Sequence, residues 1–290
     1  MPVPPLAPAL AGERFEVDGV SCHVAGQGPP LLLLHSVNAA ASAAEVRPLY
    51  EHYRPTRTVF APDLPGYGYS RRGDRAYTPR LMTDALHAMA QQVRKRCGTA
   101  PVDALAVSLG CEFPARAAME QAALWGRLAL VSPAGLMGRN RGEDRRAAPT
   151  CCRGTTRRWP TRSGRRRCST AWPNPPWCAT SCAAPGRAGH RRTEGPDCAI
   201  LTARQSVARF APRHFLGAGL FSAAIHDVYD AVRSPVWACH GVHGDFTDCR
   251  GLAALKPQPP WRVTVLPTGA LPYFEVPEAF RAEFDAFLAK

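Results

Sequence analysis

The sequence predicts an α/β protein in which helices flank a mostly parallel central sheet. Four largely apolar runs begin near Leu31, Thr58, Leu105 and Leu128. Runs of this kind are typical of strands that helices cover on both faces. Between the second and third runs, the stretch after Thr78 carries apolar residues at helical spacing. A chain of 290 residues suits one such domain with an inserted segment.

The first two strands are predicted to form an antiparallel hairpin ahead of the parallel strands. Residues 14–17 and 20–25 alternate between polar and apolar side chains, and Asp18-Gly19 separates them. An Asp-Gly dipeptide between two alternating segments is a strong signal for a two-residue turn.

Two amphipathic helices are predicted from their start signals and their apolar faces. Thr78 is a good N-cap, and Pro79 suits the first helical position. The buried face of this helix should be core and no cofactor site, and it contains Met82, Leu86, Met89 and Val93. After strands at 235–241 and 261–266, Pro277 opens a last helix whose buried stripe contains Phe280, Phe284, Phe287 and Leu288.

The centre of the chain is predicted to be a strand, a sharp turn and a helix. In residues 102–110 (VDALAVSLG), mostly apolar residues lead into Ser108, and helical sequence continues from 111 to 123. A serine on such a turn has a strained backbone that lifts its hydroxyl above the sheet. Small neighbours prevent collisions with the adjacent strand and helix, and Ala106 and Gly110 are small.

This turn resembles the nucleophile elbow of the α/β-hydrolase family, Gly-x-Ser-x-Gly, with alanine in place of the first glycine. Two further motifs follow the family order. Residues 29–38 (PPLLLLHSVN) end where the family carries His-Gly-x-x, with Ser36 in place of the glycine. Residues 63–70 (DLPGYGYS) match Asp-x-x-Gly-x-Gly-x-Ser without departure. The resemblance covers residues 14–136 and 233–289.

The resemblance implies the α/β-hydrolase fold with a core in two parts and an inserted cap. We predict the core at 14–137 and 233–290 and the cap at 138–232. Helical patches around 215–221 and 225–232 would close the cap.

The resemblance also implies a serine nucleophile. We expect no cofactor, and the spacing of the cysteines predicts no zinc site. Ser108 would attack the substrate, and the N–H groups of Leu109 and Val37 would form the oxyanion hole. The catalytic acid would follow the strand that ends at 241, with Asp245 as first choice and Asp248 as second. The alternatives are that Ser108 only keeps the elbow small and that Asp245 only caps a turn.

The general base that this chemistry needs is missing from its family position. The family carries Gly-His-x-Pro-x-x-Glu after the last strand, whereas residues 269–275 read GALPYFE, with Ala270 at the histidine position. No histidine follows His243 in the chain. A serine hydroxyl without a base is a poor nucleophile.

Other histidines are weaker candidates for the base. His243 could approach Asp245, and His214 and His226 come from the predicted cap. His35 and His240 end buried strands, so we expect them to be core histidines with satisfied hydrogen bonds.

Residues 138–199 have an unusual composition. They contain no Ile, Leu, Val, Met, Phe or Tyr, and they carry fourteen arginines against four acids, so ten of the chain's thirteen net positive charges lie here. Such a segment lacks the apolar area that a core needs, and we expect it to be poorly ordered. Its six cysteines are Cys151, Cys152, Cys168, Cys178, Cys182 and Cys198.

Three interpretations of this segment compete. A nucleic-acid-binding arm would usually mix Lys with Arg, and a metal or disulfide knot would repeat its ligand spacing. Translation in the wrong frame accounts for the Arg, Pro, Ala, Cys and Trp content, and the coding sequence across 138–200 would test it.

The rest of the sequence limits location and function. No basic leader precedes an apolar run, and no apolar stretch approaches about 18 residues, so we expect a soluble cytoplasmic protein without membrane or nucleic-acid partners. Two functions stay open. The first is hydrolysis of a small ester or related carbonyl compound, and the second is binding of a small apolar ligand or protein partner by a catalytically silent fold.

Overall fold

The computed structural model describes residues 8–136, 202–205, 207–243, 249–257 and 259–289. In these ranges the strands form one sheet in the order β1-β2-β4-β3-β5-β6-β7-β8. The pairs β1–β2 and β2–β4 are antiparallel, and the other neighbours are parallel. The strands are β1 (Glu13–Val17), β2 (Val20–Ala25), β3 (Pro30–Leu34), β4 (Thr58–Pro62), β5 (Val102–Val107), β6 (Trp125–Val131), β7 (Val236–Gly241) and β8 (Arg262–Leu266).

Helices cover both faces of the sheet, as the sequence predicts. In the described ranges the α-helices are α1 (Arg47–Tyr53), α2 (Pro79–Cys97), α3 (Glu112–Glu120), α4 (Phe210–Leu216), α5 (Ile225–Ala231), α6 (Pro272–Glu275) and α7 (Pro277–Leu288). Short 3₁₀ helices occupy Ala43–Val46, Ser108–Cys111, Ala122–Leu124 and Arg250–Ala254. Side chains of α2 to α5 pack in one apolar layer, and those of α1, α6 and α7 pack in the other.

The two apolar layers arise from the alternation of side chains along each strand. In β3, Leu32 and Leu34 belong to one layer, and Leu31 and Leu33 belong to the other. All four are fully buried, as expected for a strand covered on both faces.

The predicted hairpin is confirmed. Val17 pairs with Val20 across the turn. Asp18 has φ of 51° and Gly19 has φ of 83°. Positive φ at both central residues is the type I′ geometry, whose twist matches the flanking strands. The Asp-Gly dipeptide therefore sets the register of β1 against β2.

The predicted start of α2 is also confirmed, with Thr78 as its N-cap. The Thr78 hydroxyl accepts a hydrogen bond from the Leu81 N–H at 3.2 Å. We expect Thr78→Ala to lower the free energy of unfolding by about 1 kcal/mol, because one N–H of the first turn loses its acceptor. Urea denaturation followed by circular dichroism measures this change.

Thr56→Ala is the matched control for Thr78→Ala. Thr56 is also exposed, but its hydroxyl contacts the Tyr53 carbonyl in a turn at 3.4 Å. We expect a change within about 0.5 kcal/mol. Equal losses in the two variants would contradict a specific role for the Thr78 cap.

One helix of the predicted cap lies elsewhere than expected. The prediction of a helix at 215–221 is wrong. Helix α4 ends at Leu216, and the chain then turns through Gly217, Ala218 and Gly219. Ala218 has φ of 59°, a left-handed conformation that cannot continue a helix. The second patch is confirmed by α5.

The described residues of the predicted cap pack closely on the core. A Cβ on Gly66 would lie 2.5 Å from the Ala211 Cβ of α4. A Cβ on Gly135 would lie 2.6 Å from the Ile225 side chain of α5. Both glycines have positive φ, so each permits the turn and the close approach of a helix. The expectations for residues 138–199 fall outside the described residues.

The described ranges also show whether any helix could span a membrane and whether the cysteines are paired. No helix there is long and apolar enough to cross a membrane. The cysteines that the structure describes are free thiols, namely Cys22, Cys97, Cys111, Cys239 and Cys249.

Candidate active site

Ser108 lies at the carboxyl end of the central strand β5, where the 3₁₀ helix Ser108–Cys111 begins. Its φ is 54°, in the left-handed region that non-glycine residues seldom adopt. The side chain is partly exposed although the residues of β5 are buried. A strained backbone that presents a hydroxyl at the end of a central strand is the geometry of a nucleophile elbow.

Small residues around Ser108 allow the elbow to approach its neighbours. A Cβ on Gly110 would lie 2.5 Å from the carbonyl oxygen of His35, which is too close for any contact. The Cys111 thiol donates to the Ala106 carbonyl at 3.2 Å, across the elbow. The elbow therefore lies directly against the turn that follows β3.

The turn after β3 is held by side chains that were not predicted from the sequence. The Glu45 carboxylate accepts the Ser36 N–H at 2.7 Å. The Asn38 amide donates to the Ser36 hydroxyl at 3.1 Å. Burial raises the pKa of Glu45, and its hydrogen bonds to Ser36 oppose that effect. These contacts fix the backbone that leads to Val37.

Serine replaces the family glycine in this turn without left-handed strain. The described non-glycine residues with positive φ are Asp18, Ser108, Ser132, Val207 and Ala218, so Ser36 is not one of them. A side chain at Ser36 is therefore compatible with the backbone of the predicted oxyanion turn.

His35 and Asp63 are structural residues. The His35 Nε2 accepts the Leu64 N–H at 2.9 Å, and its Nδ1 lies 2.5 Å from the Ser36 carbonyl oxygen. Asp63 is fully buried and accepts the N–H groups of Ala43 and Tyr69 at 2.7 and 2.8 Å. The prediction that His35 is a satisfied core histidine is confirmed.

The turn after β6 joins the elbow to the loop that carries Ala270. The Ser132 hydroxyl donates to the Ala270 carbonyl at 2.8 Å, and the Ala134 N–H donates to the Ser108 carbonyl at 3.3 Å. Ser132 has φ of 48°, and its N–H donates to the Cys239 carbonyl at 2.7 Å. Ser132 is not among the site residues predicted from the sequence, although a Ser-Pro-Ala-Gly run after an apolar strand signals a turn.

The loop around Ala270 is held by hydrogen bonds on both sides of that residue. The Glu275 carboxylate accepts the Gly269 N–H at 2.9 Å. The Thr268 carbonyl accepts the N–H groups of Val242 and His243 at 2.9 and 3.0 Å. Ala270 is partly exposed. The loop thus has its supporting contacts, but residue 270 offers no group that can take a proton.

The other histidines of the described ranges contact groups other than Ser108. His226 Nε2 lies 2.9 Å from the Gly135 carbonyl oxygen, and His240 Nδ1 lies 2.8 Å from that of Gly241. Burial and the nearby Arg213 lower the pKa of His214, whose ring lies 5.6 Å from that of Tyr77. Within the described ranges, no hydrogen bond joins a histidine to Ser108.

The remaining predicted site residues are placed as follows. Leu109 and Val37 are buried beside the elbow and in the turn after β3. The Leu109 N–H belongs to the first turn of the 3₁₀ helix, whose leading N–H groups have no partner within the helix. Asp245 and Asp248 lie outside the described residues, so the catalytic acid stays a prediction.

A buried carboxylate that was not predicted from the sequence links helix α3 to the predicted cap. Glu112 on α3 is 2 % exposed and accepts hydrogen bonds from the Ser222 hydroxyl and N–H. Arg116 donates to the Ser222 hydroxyl at 2.6 Å. Burial raises the pKa of Glu112, and its partners Ser222 and Arg116 oppose that effect.

Comparison with solved structures shows that the chain has the α/β-hydrolase fold. A serine hydrolase involved in carbazole degradation superimposes with a TM-score of 0.68 at 18 % identity, over 96 % of this chain and 98 % of that one. The enol-lactonase of Burkholderia xenovorans has a TM-score of 0.63 at 15 % identity, over 96 % and 100 %. A carboxylesterase of Bacillus subtilis has a TM-score of 0.63 at 15 % identity, over 96 % and 92 %.

Sequence comparison adds a partial match. No family model matches the chain. Pimeloyl-[acyl-carrier protein] methyl ester esterases of three Xylella fastidiosa strains are 36 % identical over 95 residues. These residues are 33 % of this chain and 33 % of each relative, so the match spans about a third of the length of the curated relatives.

Proposed function

We propose that the chain hydrolyses small esters or related carbonyl compounds through Ser108, and that it does so slowly. The observation that carries the proposal is the left-handed backbone of Ser108 at the end of β5, beside the predicted oxyanion turn. Such strain persists at functional sites because the surrounding structure over-determines it. Two of the similar solved structures are an enol-lactonase and a carboxylesterase, and the partial relatives are methyl ester esterases.

The reaction would follow the acyl-transfer scheme. The Ser108 oxygen attacks the carbonyl carbon, and the N–H groups of Leu109 and Val37 stabilise the negative oxygen of the tetrahedral intermediate. The alcohol leaves, and water then hydrolyses the acyl-serine. Without an imidazole at residue 270, the Ser108 proton passes to water, which is a weak base. The oxyanion hole and binding alone would supply the rate.

A catalytically silent protein that binds a small apolar ligand or a protein partner is the second candidate. Ala270 favours it, because the loop keeps its contacts through Ser132 and Glu275 without the group that chemistry needs.

We also propose a core at 14–137 and 233–290, a cap at 138–232 and a cytoplasmic location. The single sheet that strands from both core segments form supports the core assignment.

Covalent labelling with a fluorophosphonate tests the proposal. We expect intact-protein mass spectrometry to show slow addition of one phosphonyl group, and we expect Ser108→Ala to abolish it, because the attacking oxygen is then absent. Ser234→Ala is the matched control, since this serine lies at the amino end of β7 and bonds the Trp125 carbonyl. Labelling that persists in Ser108→Ala, or its complete absence from the unmodified chain, would favour the binding function.

A further inference from the structure

The proposed oxyanion hole depends on the direction of the Val37 N–H. This group shares a peptide unit with the Ser36 carbonyl, and the N–H and C=O of one unit almost always point in opposite directions. Val37 is buried, and no hydrogen bond among the described residues takes its N–H. The direction of the Val37 N–H therefore follows from the contacts that hold Ser36.

The His35 ring fixes the direction of the Ser36 carbonyl, whose oxygen lies 2.5 Å from His35 Nδ1. The other ring nitrogen, Nε2, accepts the Leu64 N–H at 2.9 Å. Because Nε2 accepts, Nδ1 is the nitrogen that carries the proton and donates it to the Ser36 carbonyl. The Ser36 C=O therefore points at the His35 ring, and the Val37 N–H points away from it.

The Glu45 carboxylate holds the peptide unit on the other side of Ser36. It accepts the Ser36 N–H at 2.7 Å, and the Asn38 amide donates to the Ser36 hydroxyl at 3.1 Å. Ser36 is 7 % exposed, so water has little access to its backbone. A buried N–H without an acceptor is costly. If the Glu45 carboxylate were removed, the turn would therefore rotate to give the Ser36 N–H another partner.

Glu45 is itself anchored by parts of the chain that surround the candidate site. It lies on the 3₁₀ helix Ala43–Val46, whose Ala43 N–H donates to the buried Asp63 carboxylate at 2.7 Å. The hydroxyl of the buried Tyr273 donates to the Glu45 carbonyl at 3.5 Å. Tyr273 lies on α6, directly after the loop that contains residue 270. Glu45 therefore connects the predicted oxyanion turn to the loop in which the general base is missing.

We infer that Glu45 is a positioning residue for the proposed hydrolysis, because its contact with Ser36 keeps the Val37 N–H directed at the oxyanion. This inference rests on the proposed function. Glu45 acts through the backbone of Ser36 and does not contact the reacting atoms in this scheme. Without its carboxylate, the transition state loses part of the stabilisation that the Val37 N–H gives. The loss lowers kcat and leaves KM unchanged, since this interaction is made in the transition state.

Replacement of Glu45 in the full chain tests the inference. The measurements are the rate of fluorophosphonate labelling and, in the Ala270→His background, the turnover of p-nitrophenyl acetate. Glu45→Ala should lower the labelling rate and kcat by about tenfold or more, because a lost oxyanion donor costs about 10² to 10³-fold and a displaced donor costs part of that. KM should stay within about twofold. Glu45→Gln keeps an oxygen that accepts the Ser36 N–H, so both rates should stay within about threefold.

Asp103→Ala is the matched control. Asp103 is 8 % exposed, and its carboxylate also accepts a backbone N–H, that of Arg127 at 2.9 Å. It lies near the amino end of β5, whereas Ser108 follows the carboxyl end. We expect this variant to be less stable in urea but to keep both rates. If circular dichroism shows that Glu45→Ala does not fold, Glu45→Asp decides, since its shorter side chain withdraws the oxygen from Ser36 and should also lower kcat.

The outcomes separate this inference from the proposed function. Full rates in folded Glu45→Ala and Glu45→Asp, a change in KM alone, or an equal loss of rate in Glu45→Gln or Asp103→Ala would overturn the inference and leave the proposed function intact. If labelling and turnover do not depend on Ser108 while Glu45 is in place, the proposed function is contradicted, and the inference fails with it.

Discussion

Ala270→His should raise the turnover of p-nitrophenyl acetate by at least about tenfold. A positioned general base contributes about 10² to 10⁴-fold, and the smaller minimum gain expected here allows for an imperfectly oriented imidazole. The loop that receives the histidine is already held by Ser132, Glu275 and the contacts of Thr268. The substitution therefore adds the one group that the family motif has and this chain lacks, within a backbone that keeps its supports.

Two control variants separate base catalysis from other effects. Ala270→Asn introduces a polar side chain of similar size that cannot act as a base, and it should gain nothing. The double variant Ser108→Ala, Ala270→His should lose the gain, because the new imidazole acts by taking the proton of Ser108. A surface imidazole that reacts directly with the ester would keep the gain without Ser108. If the double variant keeps the increased rate, the new histidine acts without the serine and the proposed mechanism is wrong.

The pH profile gives a second readout of the same substitution. An imidazole is a base only when it is neutral, and its ordinary pKa is about 6.5. The rate of Ala270→His should therefore rise as the pH increases through about 6 to 7, and the unmodified chain should show no such step. A gain without this step would indicate that the histidine changes binding and does not take the proton.

Local sequence signals predicted those parts of the fold whose backbone conformation is set by residues adjacent in the sequence. Asp18-Gly19 specified the type I′ turn, Thr78-Pro79 specified the start of α2, and the uninterrupted apolar run at 31–34 specified a strand buried on both faces. The elbow was predictable for the same reason, since Ser108 needs small neighbours within two residues on either side.

Features that depend on distant partners were not predictable from local patterns. Glu112 looks like an exposed helix residue until Ser222, 110 residues away, covers its carboxylate. Ser132 and Ala218 adopt left-handed conformations that their residue types do not favour, because tertiary contacts outweigh local preference. The support of the oxyanion turn by Glu45 likewise arises only when the Ala43–Val46 helix packs beside β3.

Gly110→Ala should remove most of the activity gained by Ala270→His. The added Cβ would lie 2.5 Å from the His35 carbonyl oxygen, which belongs to the backbone and cannot rotate away. The elbow and the turn that leads to Val37 must therefore separate, and the Val37 N–H loses its position at the oxyanion. Loss of one oxyanion donor lowers kcat by about 10² to 10³-fold. Overpacking should also lower the free energy of unfolding by about 1 to 3 kcal/mol.

Gly73→Ala in the same Ala270→His background is the matched control, because a Cβ on Gly73 meets no atom within 4 Å. It should keep both the activity and the stability of Ala270→His. Turnover of p-nitrophenyl acetate and urea denaturation are measured on all three proteins, so that a loss of rate can be separated from a loss of fold. If Gly110→Ala stays folded and keeps the full rate, the N–H groups beside the elbow do not stabilise the transition state. Catalysis at residue 270 would then have to be explained without an oxyanion hole.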